Sequence, residues 1–233
     1  MEHIIQIAGI KDEREARMVL STGVSYLGFP IDPPIHCGDL SIDETERLIR
    51  KLGIESVSVA ITYLGNADEI LALCRHLGVR RVQLHGDVQT AEIEALRDLD
   101  PDLVICKSLI IHDNNLNEMK TLIAQNAPHV DAFITDTFDP LSGATGATGL
   151  VHDWGISRSI VDLSPRPVIL AGGLHVENIR EAIITVRPSG VDAHTGVEAP
   201  DGRKDETLVR AFVEEVNNAF SIISAEEREA AML

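Results

Sequence analysis

The feature that most constrains the fold of this 233-residue chain is a regular alternation of short apolar runs with segments of helical period. The predicted strands begin near Ile4, Ser25, Ser56, Arg80, Asp102, Ala132, Pro167 and Gly190. The predicted helices cover Glu13–Thr22, Ile42–Leu52, Ala67–Leu77, Ala91–Asp98, Leu116–Gln125, Asp153–Leu163, Val176–Val186 and Glu206–Ala219. Strict alternation implies right-handed crossovers and a parallel sheet. Eight such units favour an α/β fold closed into a (β/α)8 TIM barrel, with an open doubly wound sheet as the alternative.

No linker or change of composition divides the chain, so a single domain is predicted. The barrel is assigned to residues 1–222, and residues 223–233 to a C-terminal helical extension or disordered tail. The chain carries 20 basic and 37 acidic residues, a net charge of −17, which disfavours binding to nucleic acid or to an anionic membrane. Three scattered cysteines, a start without a basic leader and the lack of a bilayer-length apolar run predict a cytoplasmic protein.

Two strands near the end of the chain each run into a glycine-centred turn, in Val168–Leu174 (VILAGGL) and Gly190–Val197 (GVDAHTGV). Glycine lets backbone N–H groups converge on a phosphate, because no side chain keeps the main chain away. In an eight-stranded parallel barrel, the loops after strands 7 and 8 form such a site. The predicted phosphate-binding residues are Gly172, Gly173, Thr195 and Gly196. Tight turns without a ligand are the alternative.

Several segments, spread over nearly the whole chain, resemble the phosphoribosylanthranilate isomerase family of tryptophan biosynthesis. They are Val82–Gly86 (VQLHG), Gly146–Trp154 (GATGLVHDW), Leu170–Leu174 (LAGGL) and Gly190–Glu198 (GVDAHTGVE), followed by Lys204 and Asp205. The resemblance implies a (β/α)8 barrel, an isomerase of the intramolecular oxidoreductase class and a ligand with a phosphorylated, ribose-derived moiety.

The family's reaction, as the resemblance implies it, is an Amadori rearrangement of an aldose to a ketose. An acid protonates the furanose ring oxygen, the ring opens to a Schiff base, and a base removes the C2′ proton. The resemblance places the acid at the end of strand 6, at Asp136. A carboxyl group at the mouth of an apolar strand is where desolvation raises a pKa. Capping of a turn is the alternative role for Asp136.

Two residues of the family pattern are absent here. The resemblance places a cysteine base at position 8 and an anthranilate-binding arginine at position 38, where this chain has Ala8 and Gly38. If the base has moved to another position, the candidates are His36 and Cys37, in the loop after strand 2. A histidine has an unperturbed pKa of about 6.5, which suits a base, whereas a cysteine needs surroundings that favour its thiolate. The alternatives are an ordinary surface loop, a diverged paralogue acting on another phosphosugar, and a phosphometabolite-binding protein without isomerase turnover.

Further substrate contacts are predicted around the barrel mouth. They are Lys107, His85, His194 and three residues of the long loop after strand 6, Gly146, Thr148 and Gly149. A glycine-rich loop of that length is typical of a lid, although a merely flexible loop is the alternative. Lys107 could instead form a Schiff base or play a structural role. We predict a small phosphorylated sugar ligand, no metal, no cofactor, and a monomer or homodimer.

Overall fold

The computed structural model describes residues 3–31, 40–112, 115–137 and 151–231. Eight parallel strands close into one barrel in chain order, with β1 paired to β8. The strands are β1 Ile4–Ala8, β2 Tyr26–Ile31, β3 Ser58–Thr62, β4 Arg81–Leu84, β5 Val104–Ile111, β6 Ala132–Thr137, β7 Val168–Leu170 and β8 Gly190–Ala193. The TIM barrel predicted from the alternation is confirmed.

A helix follows each strand and packs on the outside of the barrel. The helices are α1 Glu13–Ser21, α2 Ile42–Leu52, α3 Ala67–Leu77, α4 Thr90–Leu99, α5 Leu116–Asn126, α6 Trp154–Leu163, α7 Ile179–Val186 and α8 Glu206–Ala230. Short 3-10 helices cover Glu55–Val57 and Thr195–Val197. Within the described ranges, no helix combines the length and the apolarity needed to cross a membrane.

Helix α7 begins at Ile179, three residues later than the predicted Val176. The side chain of Asn178 explains the delay, because it bonds the backbone of the preceding turn instead of continuing a helix. It accepts a hydrogen bond from the His175 N–H at 2.9 Å and donates one to the Gly173 carbonyl at 2.9 Å. Asn178 therefore shapes the turn that carries the predicted phosphate glycines.

Helix α8 continues to Ala230, well past the predicted end at Ala219. Ile223 lies on its buried face and is 6% exposed, and Glu226 forms an ion pair with Arg187. These contacts explain why the helix extends beyond the apolar repeat read from the sequence. The division between a barrel at 1–222 and an extension at 223–233 stays a prediction.

The two faces of the strands carry different side chains, because successive residues of a strand point to opposite sides. Ile7 and Leu27 point outward and are fully buried beneath the helices. Inside the barrel, the Gln6 amide donates to the Gln83 carbonyl oxygen at 3.1 Å, from β1 across to β4. The barrel interior therefore contains buried polar side chains as well as apolar ones.

Candidate active site

Asp136 occupies the penultimate position of β6 and faces the barrel interior. The residue is 9% exposed, and burial raises the pKa of its carboxyl group to about 7. The Thr137 N–H donates to its Oδ1 at 2.8 Å and acts in the opposite direction on that pKa. A carboxyl group with such a pKa carries a proton that it can give up at neutral pH. The acid role assigned to Asp136 stays a prediction, and its surroundings suit that role.

His85 lies beside Asp136. Its Nδ1 is 3.0 Å from the Ser108 hydroxyl and 4.0 Å from Asp136 Oδ2. Its ring also meets the edge of the Tyr63 ring, with the centroids 5.0 Å apart. The structure thus brings together two residues that the sequence predicts for the site. A substrate contact by His85 stays a prediction.

Asp192 is a second buried carboxyl group in this interior, and the sequence reading overlooked it. It lies on β8, paired in register with Gln6 of β1, and is 8% exposed. Burial, followed by the charge of Asp136, raises the pKa of Asp192 to about 7. The signal that could have identified it is the period of two along β8, which puts Asp192 on the same face as Gly190.

The first glycine turn holds its backbone in a conformation that favours glycine. Gly172 has a φ of +100° and Gly173 a φ of +63°. Neither N–H donates a hydrogen bond to another described residue. A Cβ atom at Gly172 would lie 2.2 Å from Thr137 Oγ1 and 3.0 Å from His152 Nδ1. The turn is therefore packed tightly against the end of β6 and leaves two amide donors for a ligand.

The second glycine turn lies directly against the first. A Cβ atom at Gly196 would lie 1.9 Å from the Leu174 carbonyl oxygen, so only glycine allows the two backbones to approach this closely. Thr195 begins the short 3-10 helix beside this contact. The structure brings all four predicted phosphate residues to one place, and their binding of phosphate stays a prediction.

Lys107 lies on the helix-facing side of β5, because Cys106 and Ser108 on either side of it face the interior. Its Nζ donates to the Gly86 carbonyl at 2.7 Å and to the Leu84 carbonyl at 3.4 Å, at the end of β4. Burial lowers its pKa to about 8. A structural role follows directly from these bonds, and a substrate contact by Lys107 stays a prediction.

His194 follows β8 and packs over the end of β1. Its Nε2 is 2.1 Å from the position that a Cβ atom of Gly9 would take, and it is 3.5 Å from Glu198 Oε1. Lys204 donates to the same Glu198 oxygen at 2.7 Å and to the His194 carbonyl at 3.0 Å. A substrate contact by His194 stays a prediction.

Ala8 ends β1 within a small apolar cluster. Its buried neighbours there are Val59 and Ile61 of β3, with Tyr26 packed against them. This wall of the interior therefore contrasts with the polar wall that carries His85 and Ser108. The predicted base candidates His36 and Cys37 lie outside the described residues, as do the position of Gly38 and the predicted contact residues Gly146, Thr148 and Gly149.

His152 is a further residue that the sequence reading did not single out. Its Nδ1 is 2.8 Å from Thr137 Oγ1, and its Nε2 is 2.6 Å from Ser157 Oγ. Burial lowers the pKa of His152 to about 4, so the ring is neutral at neutral pH. It ties the end of β6 to the first turns of α6. No spacing rule predicts such a link.

Comparisons with known proteins agree with this arrangement. Residues 5–215 match the family described as N-(5'phosphoribosyl)anthranilate (PRA) isomerase. The chain is 40% identical to N-(5'-phosphoribosyl)anthranilate isomerase 2 of Methanosarcina mazei over 219 residues, which is 93% of this chain and 95% of the relative.

Solved structures are similar as well. The phosphoribosyl anthranilate isomerase of Thermotoga maritima aligns with a TM-score of 0.78 and 25% identity, over 93% of this chain and 100% of that one. A phosphoribosyl anthranilate isomerase in complex with reduced 1-(O-carboxyphenylamino)-1-deoxyribulose 5-phosphate aligns with a TM-score of 0.76 and 23% identity, over the same shares. The family match and the curated relative together show that this chain belongs to the N-(5'-phosphoribosyl)anthranilate isomerase family.

Proposed function

We propose that this protein converts a phosphorylated aminoaldose of the phosphoribosylanthranilate type into the corresponding ketose by an Amadori rearrangement. The observation that carries the proposal is Asp136, a buried carboxyl group with a pKa raised to about 7. It stands at the end of a barrel strand, next to two glycine turns that touch each other. An acid that can donate at neutral pH beside a phosphate-type site suits the isomerisation of a sugar phosphate.

In this proposal the phosphate group anchors the substrate. The N–H groups of Gly172 and Gly173 bind it from the β7 side, and Thr195 and Gly196 bind it from the β8 side. A dianion held by backbone donors needs no basic side chain, which suits a chain with a net charge of −17. The family relationship supports this ligand class, because a similar protein has been solved with a ribulose 5-phosphate derivative.

Asp136 then donates its proton to the ring oxygen of the sugar. The bond between C1′ and that oxygen breaks, and the nitrogen lone pair forms the Schiff base. His85, 4.0 Å from Asp136, and His194, at the opposite side of the mouth, are the proposed polar contacts of the opened sugar. Lys107 is assigned a supporting contact through the loop after β4, whose carbonyl groups it binds.

The base that removes the C2′ proton is not Ala8, whose methyl group cannot accept a proton. His36 and Cys37 are the candidates that follow from the sequence of the loop after β2. Gly146 and Thr148 belong to the proposed lid, which would exclude water from the open-chain intermediate. Gly149 completes that lid segment.

The apolar wall around Ala8, Val59 and Ile61 suits an aromatic aglycone. The lack of an arginine at Gly38 favours a second candidate, a paralogue that isomerises a phosphosugar without an aromatic carboxylate. A protein that binds the phosphosugar without turnover is the alternative outside enzyme chemistry.

The loss of phosphoribosylanthranilate fluorescence on conversion tests the proposed function. We expect the purified protein to consume this substrate, and Asp136→Asn to lower kcat by about 100-fold or more. Asp162→Asn, at an exposed carboxylate paired with Arg158, is the matched control and retains full activity. An inactive wild-type protein whose melting temperature still rises with phosphosugars would favour binding without turnover.

A further inference from the structure

The described part of the barrel interior contains a second group suited to proton transfer. We propose that Asp192 is the general base of the reaction and that it acts on the same bound substrate as the acid Asp136. This inference rests on the proposed function and deepens it, because it supplies the proton acceptor that Ala8 cannot be. Four features of the site support it.

The first feature is the position of the two carboxyl groups. Ile134, Ile169 and Gly190 are paired in one row across β6, β7 and β8. Two residues further along each strand stand Asp136, Ala171 and Asp192, and a step of two keeps a side chain on the same face. The two carboxyl groups therefore line the same wall, about 10 Å apart between their strands. On the strand between them, the corresponding position carries the small side chain of Ala171, which suits a ligand that touches both carboxyl groups.

The second feature is an unsatisfied atom. Asp192 Oδ1 is buried and has no hydrogen-bond partner among the described residues. A buried carboxylate oxygen without a partner destabilises the folded protein, because its lost hydrogen bonds to water are not replaced. The Gln6 side chain lies next to the carboxylate and favours its charged form, yet it leaves Oδ1 unused. A group kept at such a cost in a substrate cleft points to a role toward the ligand.

The third feature is the electrostatic coupling of the pair. Burial raises the pKa of both carboxyl groups to about 7, and the charge of Asp136 adds to the increase at Asp192. The charge of Lys204 acts in the opposite direction on the pKa of Asp192. A negative charge on Asp136 therefore favours the protonated form of Asp192. The reaction requires one acid and one base, and a pair of carboxyl groups coupled in this way can supply both.

The fourth feature is that the other titratable groups near Asp192 are poorly suited to be the base. The Cys106 thiol faces the same interior, but burial and the charge of Asp192 raise its pKa far above neutral pH. His85 is held by Ser108 on the side of Asp136. Lys107 binds carbonyl groups on the other face of the sheet.

The proposed steps balance in protons and electrons. Asp136 gives its proton to the ring oxygen as the C1′–oxygen bond breaks. Asp192 takes the C2′ proton, the C–H electrons form a C1′=C2′ double bond, and the electrons of the C1′=N bond return to nitrogen. Asp192 then returns its proton to C1′, while Asp136 takes the proton of the C2′ hydroxyl group. The product is the ketose, and the pair is restored.

The decisive experiment compares Asp192→Asn with the double variant Ala8→Cys/Asp192→Asn. We expect Asp192→Asn to lower kcat about 100-fold or more with little change in KM. It should still bind reduced 1-(O-carboxyphenylamino)-1-deoxyribulose 5-phosphate. A thiol at position 8 should restore part of the turnover and shift the acid limb of the pH profile upward, toward the pKa of a thiol. A residue that only supports the fold would show neither effect.

Other outcomes overturn the proposal. Wild-type kcat in Asp192→Asn would refute it, as would loss of turnover in His36→Ala or Cys37→Ala while Asp192→Asn remains active. A double variant no more active than Asp192→Asn would also refute it. If the wild-type protein itself does not consume phosphoribosylanthranilate, the proposed function fails first and the inference fails with it. Asp162→Asn again serves as the control.

Discussion

The imidazole of His152 lies between two hydroxyl groups, 2.8 Å from Thr137 Oγ1 and 2.6 Å from Ser157 Oγ. Thr137 follows Asp136 directly on β6, and its hydroxyl group also approaches the Cβ direction of Gly172. A single neutral ring therefore links the proposed acid, the first phosphate turn and the start of α6. Burial disfavours the charged imidazolium, and the neutral ring can bond both hydroxyl groups because each of them can donate or accept.

His152 makes the stability of the protein sensitive to acid. Its folded-state pKa of about 4 lies below the ordinary value of 6.5, so the unfolded chain binds a proton first as pH falls. The stability that the neutral ring contributes is present above pH 6.5 and is lost as pH falls toward 4, by about 1.4 kcal/mol per unit. The variant His152→Gln lacks this loss. The difference in free energy of unfolding between the wild-type protein and the variant, measured with denaturant, should therefore become smaller as pH falls from 6.5 towards 4. His76→Gln, at an exposed position, is the control. A constant difference over this range would contradict the prediction.

Gly172→Ala should weaken phosphate binding. The new methyl group would meet Thr137 Oγ1 at 2.2 Å at a φ of +100°, so the turn must move. We expect a loss of stability of about 1–3 kcal/mol and a rise in KM of about tenfold or more. Gly23→Ala is the matched control, since Gly23 has a φ of +93° and nothing within 4 Å of a Cβ atom. That control should lose stability with an unchanged KM. Equal KM values for both variants would count against the phosphate assignment.

Asp192→Asn should stabilise the protein at alkaline pH while it removes activity. Because the folded-state pKa of about 7 lies above the ordinary value of 3.8, the native protein binds more protons than the unfolded chain between these pH values, and its stability falls as pH rises. An asparagine carries no such cost. We expect a gain on the order of 4 kcal/mol at pH 8 that vanishes below pH 4. Unfolding curves at both pH values test this, and a gain that persists at pH 3.5 would contradict it.

Lys204→Met should destabilise the loop after β8. Its side chain is fully buried and pairs with Glu198, which is 15% exposed. Removing the lysine takes away the nearest partner of this half-buried carboxylate, which His194 approaches only to 3.5 Å, at a cost of about 1–3 kcal/mol. Lys51→Met is the control, because the 2.6 Å pair of Lys51 with Glu13 is exposed and worth less than about 1 kcal/mol. Adding Glu198→Gln to Lys204→Met should recover part of the loss. Similar effects of the two lysine substitutions on urea unfolding would refute this account.

The barrel and the two glycine turns after its last two strands could be predicted from the sequence. The spacing of apolar residues predicts the strands and helices. The glycines at 172 and 196 indicate positions where the main chain comes close to another group. Helix ends were less predictable, because the delay of α7 depends on side-chain bonds made by Asn178. Such bonds leave no periodic trace.

The polar interior was harder to predict than the turns. Asp192 lies in a glycine-containing segment whose sequence suggests a backbone role in phosphate binding. Its proposed catalytic role depends on Asp136, which is 56 residues earlier in the chain. The link made by His152 also joins distant segments. Lys107 shows the opposite case, in which the period of two was available and places the side chain on the outer face of β5. Contacts across the barrel, not local patterns, determine these roles.

The close packing of Gly196 on Leu174 means that substitutions at the two ends of the cleft have different consequences. At that end of the cleft, backbone meets backbone, so no side-chain replacement can tune the anchor without displacing it. At the wall formed by Ala8, ordinary replacements reshape the cleft and leave the anchor intact. Related proteins with this fold can therefore change their specificity for the aglycone while they keep the same binding site for the phosphate group.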